Sequence, residues 1–114
     1  LGVSTPREMV VLLEKIERGE VVSAEASKEM ISVLKRNQDG ECIRRAFQDV
    51  PVANKTGALD ALRSDVGIVY SKKGRVAMAI TCDGMPKIDY GPDNKGALMI
   101  AKLARILVDG LGSR

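Results

Sequence analysis

Tryptophan and histidine are absent, and two tyrosines and one phenylalanine are the whole aromatic complement of 114 residues. An interior this poor in rings must be filled by Leu, Ile, Val, Met and Ala, and the apolar content of 45% supplies them. Cysteine is scarce as well. Cys42 and Cys82 are too few and too far apart to read as a metal site, and there is no histidine to complete one. Two free or buried thiols are expected, with a single disulfide left open. No apolar run approaches the roughly 18 residues of a membrane span, so no spanning helix is expected. Charge of one sign is not in large excess. The net value is +3 and the charges are interspersed, which argues against a nucleic-acid partner. No signal peptide is visible, although a chain that opens on Leu1 instead of Met is what processing would leave. Internal repeats and low-complexity tracts are lacking. The length suits one domain at most, able to bury a modest core.

What is present is organised around the stretch from Val52 to Gly84. It reads as three short strands. The first carries Lys55-Thr56-Gly57, the second is the apolar run Val66 to Tyr70, and the third is Val76 to Cys82. Ser71-Lys72-Lys73-Gly74 is a polar hairpin turn closed by glycine. The later two strands do not alternate cleanly between apolar and polar, which suits strands covered by helices on both faces. The fold class expected is therefore α/β in the broad sense, α+β in detail: antiparallel strands flanked by helices.

The helices are signposted. Thr5 is an N-cap with Pro6 at the first helical position, and Glu8 completes a capping box. Met9, Leu12, Leu13 and Ile16 make the buried stripe, and Gly19 stops the helix. A second helix is predicted from after Ser23 to about Asn37, with Ala26, Met30, Val33 and Leu34 inward. Cys42 to Phe47 forms one or two helical turns packed by Ile43 and Phe47. Past the strands, Gly84 to Pro92 is a loop. Asp93 then caps a long helix whose apolar face is Ala97, Ile100, Ala101, Leu103, Ala104, Leu107, Val108 and Leu111, ended by Gly110 and Gly112.

Lys55-Thr56-Gly57 on a strand is chemically suggestive. A strand at the edge of a cleft offers its backbone N–H and C=O groups to a substrate, and a glycine there permits close approach. An ammonium and a hydroxyl together can bind a carboxylate. The tripeptide alone equally fits a strand entering a turn.

Its setting is more specific. Val52-Ala-Asn-Lys-Thr-Gly-Ala-Leu, then Arg63-Ser-Asp-Val-Gly-Ile-Val-Tyr, then a charged hairpin and another strand, resembles the serine β-lactamases of class A and their penicillin-binding relatives, whose third motif is K-T-G. Ser4-Thr-Pro-Arg-Glu-Met with its amphipathic helix resembles the helix after the omega loop of these enzymes. The last helix resembles their C-terminal one. The resemblance covers nearly all 114 residues, but only the C-terminal part of the family's chain. It divides this chain into 1–48, helices of the helical region, and 49–114, three strands and the C-terminal helix of the α/β region.

The resemblance implies roles for four residues. Lys55 would lend positive charge toward the nucleophile and the substrate carboxylate, and Thr56 would hydrogen-bond that carboxylate. Gly57 would allow the substrate backbone close, and Ala58 would supply an oxyanion-hole N–H. It implies no cofactor and no metal. Two local matches are set aside. Ser32-Val-Leu-Lys35 fits S-x-x-K by letter, but Ser32 falls mid-helix beside Lys28, Lys35 and Arg36 on a face that reads as solvated. Ser64-Asp65-Val66 lacks the Asn of S-D-N. Arg44-Arg45 and Lys72-Lys73 read as solvated surface. The nucleophilic Ser, its Lys, the S-D-N motif and the omega-loop Glu would all precede Leu1, and two more strands of the sheet with them. The expected partner is thus the N-terminal portion of the same protein, and the expected ligand a β-lactam or peptidoglycan-like small molecule, in a periplasmic or secreted setting. In many class A enzymes an Arg on the next strand holds the substrate carboxylate. Counting back from Gly67, Val66 stands there, with Arg63 near in sequence. The main expectation is a piece of an acyl-transfer hydrolase. The alternatives are a non-catalytic module of the same fold that binds a peptide or cell-wall ligand, and an unrelated α/β interaction module.

Overall fold

The computed structural model describes residues 2–112. Helix α1 (Pro6–Glu17) and helix α2 (Ala24–Lys35) come first, then a 3-10 turn (Ile43–Ala46). Strands β1 (Val52–Leu59), β2 (Leu62–Ser71) and β3 (Gly74–Cys82) follow, and helix α3 (Lys95–Leu111) closes the chain. The sheet is antiparallel in the order β1-β2-β3. This is the α+β architecture the sequence predicts.

The register explains why β2 shows no clean alternation. Val69 pairs with Val52 and Val76, while the preceding Ile68 pairs with Ala53 and Ala77. Successive side chains point to opposite faces, and each face has its own helical cover. Val52, Val69 and Val76 pack with Ile43, Phe47, Ala97, Ile100, Ala104 and Val108 under α3 and the 3-10 turn. Ala53 and Ile68 pack with Leu13, Ile16 and Ile31 under α1 and α2. Both halves of the chain therefore share one sheet, and α1 and α2 lie against it. Gly67 is buried in the middle strand. A Cβ there would stand 2.6 Å from the Ala53 carbonyl oxygen and 2.7 Å from Asn54 Cβ, so the strands close up only with glycine at this position.

The Thr5–Glu8 capping box forms in both directions, at 3.1 and 2.9 Å. Ser23 caps α2. Two cap expectations are corrected. Asn94, and not Asp93, caps α3: its side chain accepts from the Gly96 and Ala97 N–H groups, while Asp93 sits outside and pairs with Arg45 at 2.7 Å. At the other end Gly112 is the cap and Gly110 stays inside the helix. Helix α2 also ends earlier than expected, at Lys35, and turns its Ser27 and Ile31 inward, leaving Val33 52% exposed. Ser27 bonds the Val21 backbone at both N–H and C=O, which fixes the rotation of α2 through the preceding turn. Both cysteines are free thiols. Cys42 is buried, and burial, with the Asp65 carboxylate next in effect, pushes its thiol up to about 12. No helix among the described residues is long and apolar enough to cross a membrane.

Candidate functional site

Strand β1 is an edge strand, and the Lys-Thr-Gly segment lies on the half of it that runs out of the core. Val52, Ala53 and Asn54 are buried, whereas Lys55 and Gly57 to Leu59 are exposed and Thr56 is half-buried. Neighbouring residues of an antiparallel strand direct their N–H and C=O groups to opposite edges. On the outer edge of β1 the Val52 carbonyl accepts from Arg44, and that of Asn54 from Asn37 Nδ2 at 2.8 Å. The Thr56 carbonyl accepts from Lys55 Nζ at 2.7 Å. The same every-other-residue parity puts the N–H of Ala58 on this outer edge, at its core-free end. Within Lys55 to Ala58, Thr56 and Ala58 thus present their backbone groups on the outer edge, while Lys55 and Gly57 direct theirs to β2.

Behind that edge lies a polar network that holds it in place. Asp65 is the cross-strand partner of Thr56 and is fully buried. Its carboxylate accepts from the Ile43 N–H at 2.9 Å and from Asn54 Nδ2 at 3.1 Å. Asn54 Oδ1 in turn accepts from Arg44, whose guanidinium also donates to the carbonyls of Lys35 and Val52. The network ties α2, the 3-10 turn, β1 and β2 together at the level of Lys55. Arg44 is therefore a half-buried structural donor, which corrects its reading as solvated surface. Lys72 and Lys73 are exposed, as expected. Burial pushes the Asp65 carboxyl up to about 6 even though both of its hydrogen bonds favour the ionised form.

The fourth participant is Asp39, from the loop between α2 and the 3-10 turn. Its Oδ2 accepts the hydroxyl of Thr56 at 2.6 Å, and its Oδ1 accepts the N–H of Glu41 at 3.1 Å. Its own N–H donates to Asn37 Oδ1 at 3.1 Å, so Asn37, Asp39 and β1 are stitched into one rim.

The two candidate positions for a further cation are resolved by side-chain parity. Val66 pairs with Lys55 and packs toward α1 and α2, the face opposite Thr56. The position counted back from Gly67 therefore holds an apolar side chain and brings no cation to Thr56. Arg63 does share the Thr56 face, but it is 4% exposed and committed. It donates to the Leu59 and Leu62 carbonyls at 2.7 and 2.8 Å and to that of Asp89, and stacks on the Tyr90 ring at 4.7 Å. Ser32 accepts from Arg36 on the exposed side of α2, and Ser64 bonds Thr81 across β2 and β3. Neither serine joins the edge of β1.

Sequence reasoning missed Asp39, Asn54 and Asp65. The last two carried a usable signal, because Asn and Asp inside apolar strands are disfavoured unless buried partners satisfy them. Asp39 carried none, since it reaches Thr56 through a loop contact 17 residues away. Among the described residues no group of His, Cys, Asp and Glu is placed to hold a metal ion.

The geometry can be set beside known proteins. The family described as "Beta-lactamase enzyme family" matches residues 2–111. No match is found among curated proteins. Among solved structures, the β-lactamase from Sphaerobacter thermophilus superposes with a TM-score of 0.84 at 21% identity, covering 96% of this chain and 41% of its own. The class A β-lactamase from Mycobacterium abscessus gives 0.80 at 25% identity, covering 96% of this chain and 42% of its own. A mutant of PBP-A, captured as an acyl-enzyme complex with penicillin-G, gives 0.80 at 21%, covering 97% and 41%. The chain spans about two-fifths of the length of these structures. With a match over nearly all its residues, three antiparallel strands between helical layers and the same fold in each of these structures, the chain belongs to the β-lactamase enzyme family.

Proposed function

We propose that this chain is the C-terminal part of a β-lactamase-like serine hydrolase and forms one wall of its active site. The observation that carries this reading is the open outer edge of β1 at Lys55 to Ala58, held in register by Asp65, Asn54 and Arg44. The rest of the protein supplies the S-x-x-K nucleophile and the S-D-N motif. The serine hydroxyl adds to the carbonyl of a β-lactam or related amide. Negative charge grows on the carbonyl oxygen and is met by the Ala58 N–H, together with the N–H of the serine itself. Lys55 is exposed, and its ammonium, which rests on the Thr56 carbonyl in this chain, would turn toward the reacting centre in the assembled site. The amine departs with a proton, and water releases the acyl group from the serine. Gly57 leaves room for the substrate backbone beside the strand. A periplasmic or secreted location belongs to the same proposal.

The test is made in the full-length protein with a chromogenic cephalosporin. Lys55→Ala lowers the acylation rate by about 10²–10³, the usual cost of one group aimed at developing charge. Thr56→Ser keeps its hydroxyl and has a mild effect. An unchanged rate in Lys55→Ala reduces the Lys-Thr-Gly match to coincidence. The chain alone, without a positioned nucleophile, gives no turnover. Turnover by the chain alone that Ser32→Ala abolishes would make Ser32 the nucleophile instead.

A further inference from the structure

We propose that Asp39 is a specificity-determining residue that closes the Thr56 hydroxyl to anions. The acyl substrate then presents an uncharged or cationic hydrogen-bond donor at this point, and not a carboxylate. The inference rests on the serine-hydrolase reading for the word substrate, but its physical content is local. A threonine hydroxyl has one proton to donate. Thr56 gives it to Asp39 at 2.6 Å, the short distance of a bond to a charged acceptor. A carboxylate arriving at Thr56 must displace Asp39 from that proton and then sit beside a like charge, which is unfavourable at any effective dielectric of a protein surface.

Nor can Asp39 easily withdraw. Its other oxygen accepts the Glu41 N–H, and its own N–H is bonded to Asn37, which is itself fastened to the β1 edge through the Asn54 carbonyl. Compensation from nearby cations is limited by their other duties. Arg63 shares the face with Thr56 but spends its guanidinium on three carbonyls. Arg44 is spent on Asn54 and on backbone carbonyls. Lys55 remains as the exposed positive group, and Asp39 and Asp65 are both on the Thr56 side of the sheet. A donor group on the substrate meets the opposite situation. It finds the Asp39 carboxylate already positioned and the Thr56 hydroxyl oxygen with lone pairs to spare.

The experiment uses the full-length protein and two probes that differ only at the carboxylate, benzylpenicillin and its methyl ester. The second-order acylation constants are measured for the native protein and for Asp39→Asn, which keeps an oxygen for the Glu41 N–H. The ratio of the benzylpenicillin constant to the ester constant rises by at least about tenfold in Asp39→Asn, because only one probe is relieved of the like charge. A ratio unchanged by the substitution, with both constants moving together or neither moving, makes Asp39 a structural residue only and overturns the proposal. If neither probe acylates either protein, the serine-hydrolase reading falls, and the anion exclusion is decided separately. Acetate and methylammonium are titrated at fixed ionic strength while the backbone amides of Thr56 and Gly57 are followed by NMR. Acetate shifts that appear only in Asp39→Asn support the proposal, and equal acetate responses or none in the two proteins overturn it.

Discussion

Asp65 titrates against its own fold. Burial holds its carboxyl near 6, above the ordinary 3.8, so the native chain keeps this proton more tightly than the unfolded chain does. The stabilising contribution of the bound proton is therefore complete below about pH 4 and is lost as pH rises through about 6. The unfolding free energy should fall over that interval by up to about 3 kcal/mol, and Asp65→Asn should remove this fall. Urea denaturation of both proteins at pH 4, 5.5 and 7 measures it, and parallel slopes in the two would assign the pH dependence elsewhere. A second residue-scale expectation concerns Gly67. Its missing side chain is a packing requirement, so Gly67→Ala forces β1 and β2 apart and should cost about 1–3 kcal/mol, read as a lowered thermal midpoint. The sequence shows that a glycine interrupts an apolar strand. It does not show that Asn54 lies directly across from it, because register comes from pairing over a distance along the chain.

At the scale of elements, most boundaries were legible because their causes are local. The Thr5–Glu8 box, Pro6 and Gly19 each act within one turn, and the structure places all of them as read, with Gly19 in the left-handed region at φ 76°. The later strands, too, announce themselves through their apolar runs and the Ser71–Gly74 turn, although β2 begins at Leu62, before the Val66 its apolar run suggests. What failed was the rotation of α2 and the cap of α3, both decided by partners outside the element, and the width of two apolar stripes, since Leu12 of α1 and Leu103 and Leu111 of α3 are exposed. Ser27 reaches back to Val21, and Asn94 Nδ2 is anchored on the Asp89 carbonyl. The candidate site divides the same way. Lys55 to Ala58 could be read from adjacent letters, while the network from Arg44 through Asn54 to Asp65 needs three elements to meet first. One connecting turn is strained. Val22 sits at φ 64°, a conformation that a β-branched side chain adopts only at a cost, and it is 88% exposed. Val22→Asn should therefore raise stability by about 1 kcal/mol without touching a packed neighbour, which a denaturation curve of the two proteins will decide.

At the scale of the molecule, the sheet ends on β3, whose outer edge has no strand beside it among the described residues. In the proposed full-length protein, that edge takes a strand from the N-terminal portion. Produced alone, the chain should associate through β3, and adding the N-terminal portion should convert it to a defined heterodimer. Size-exclusion chromatography combined with amide exchange over residues 76–82 tests this. A monodisperse monomer with those amides strongly protected on its own would contradict it.

The two margins of the sheet are unequal, and this gives the isolated chain a sense of direction. Side-chain donors cover the carbonyls of Val52 and Asn54 on the core half of β1 and Lys55 rests on that of Thr56, so β1 offers a visiting strand only its short end at Thr56 to Ala58. By contrast, β3 offers its whole length. A subunit with one full-length adhesive margin favours closure over propagation: two copies meet β3 to β3 about a twofold axis and leave only the short end of β1 outside. Whatever the separated chain forms through its sheet should accordingly stop at pairs and should not grow into fibres.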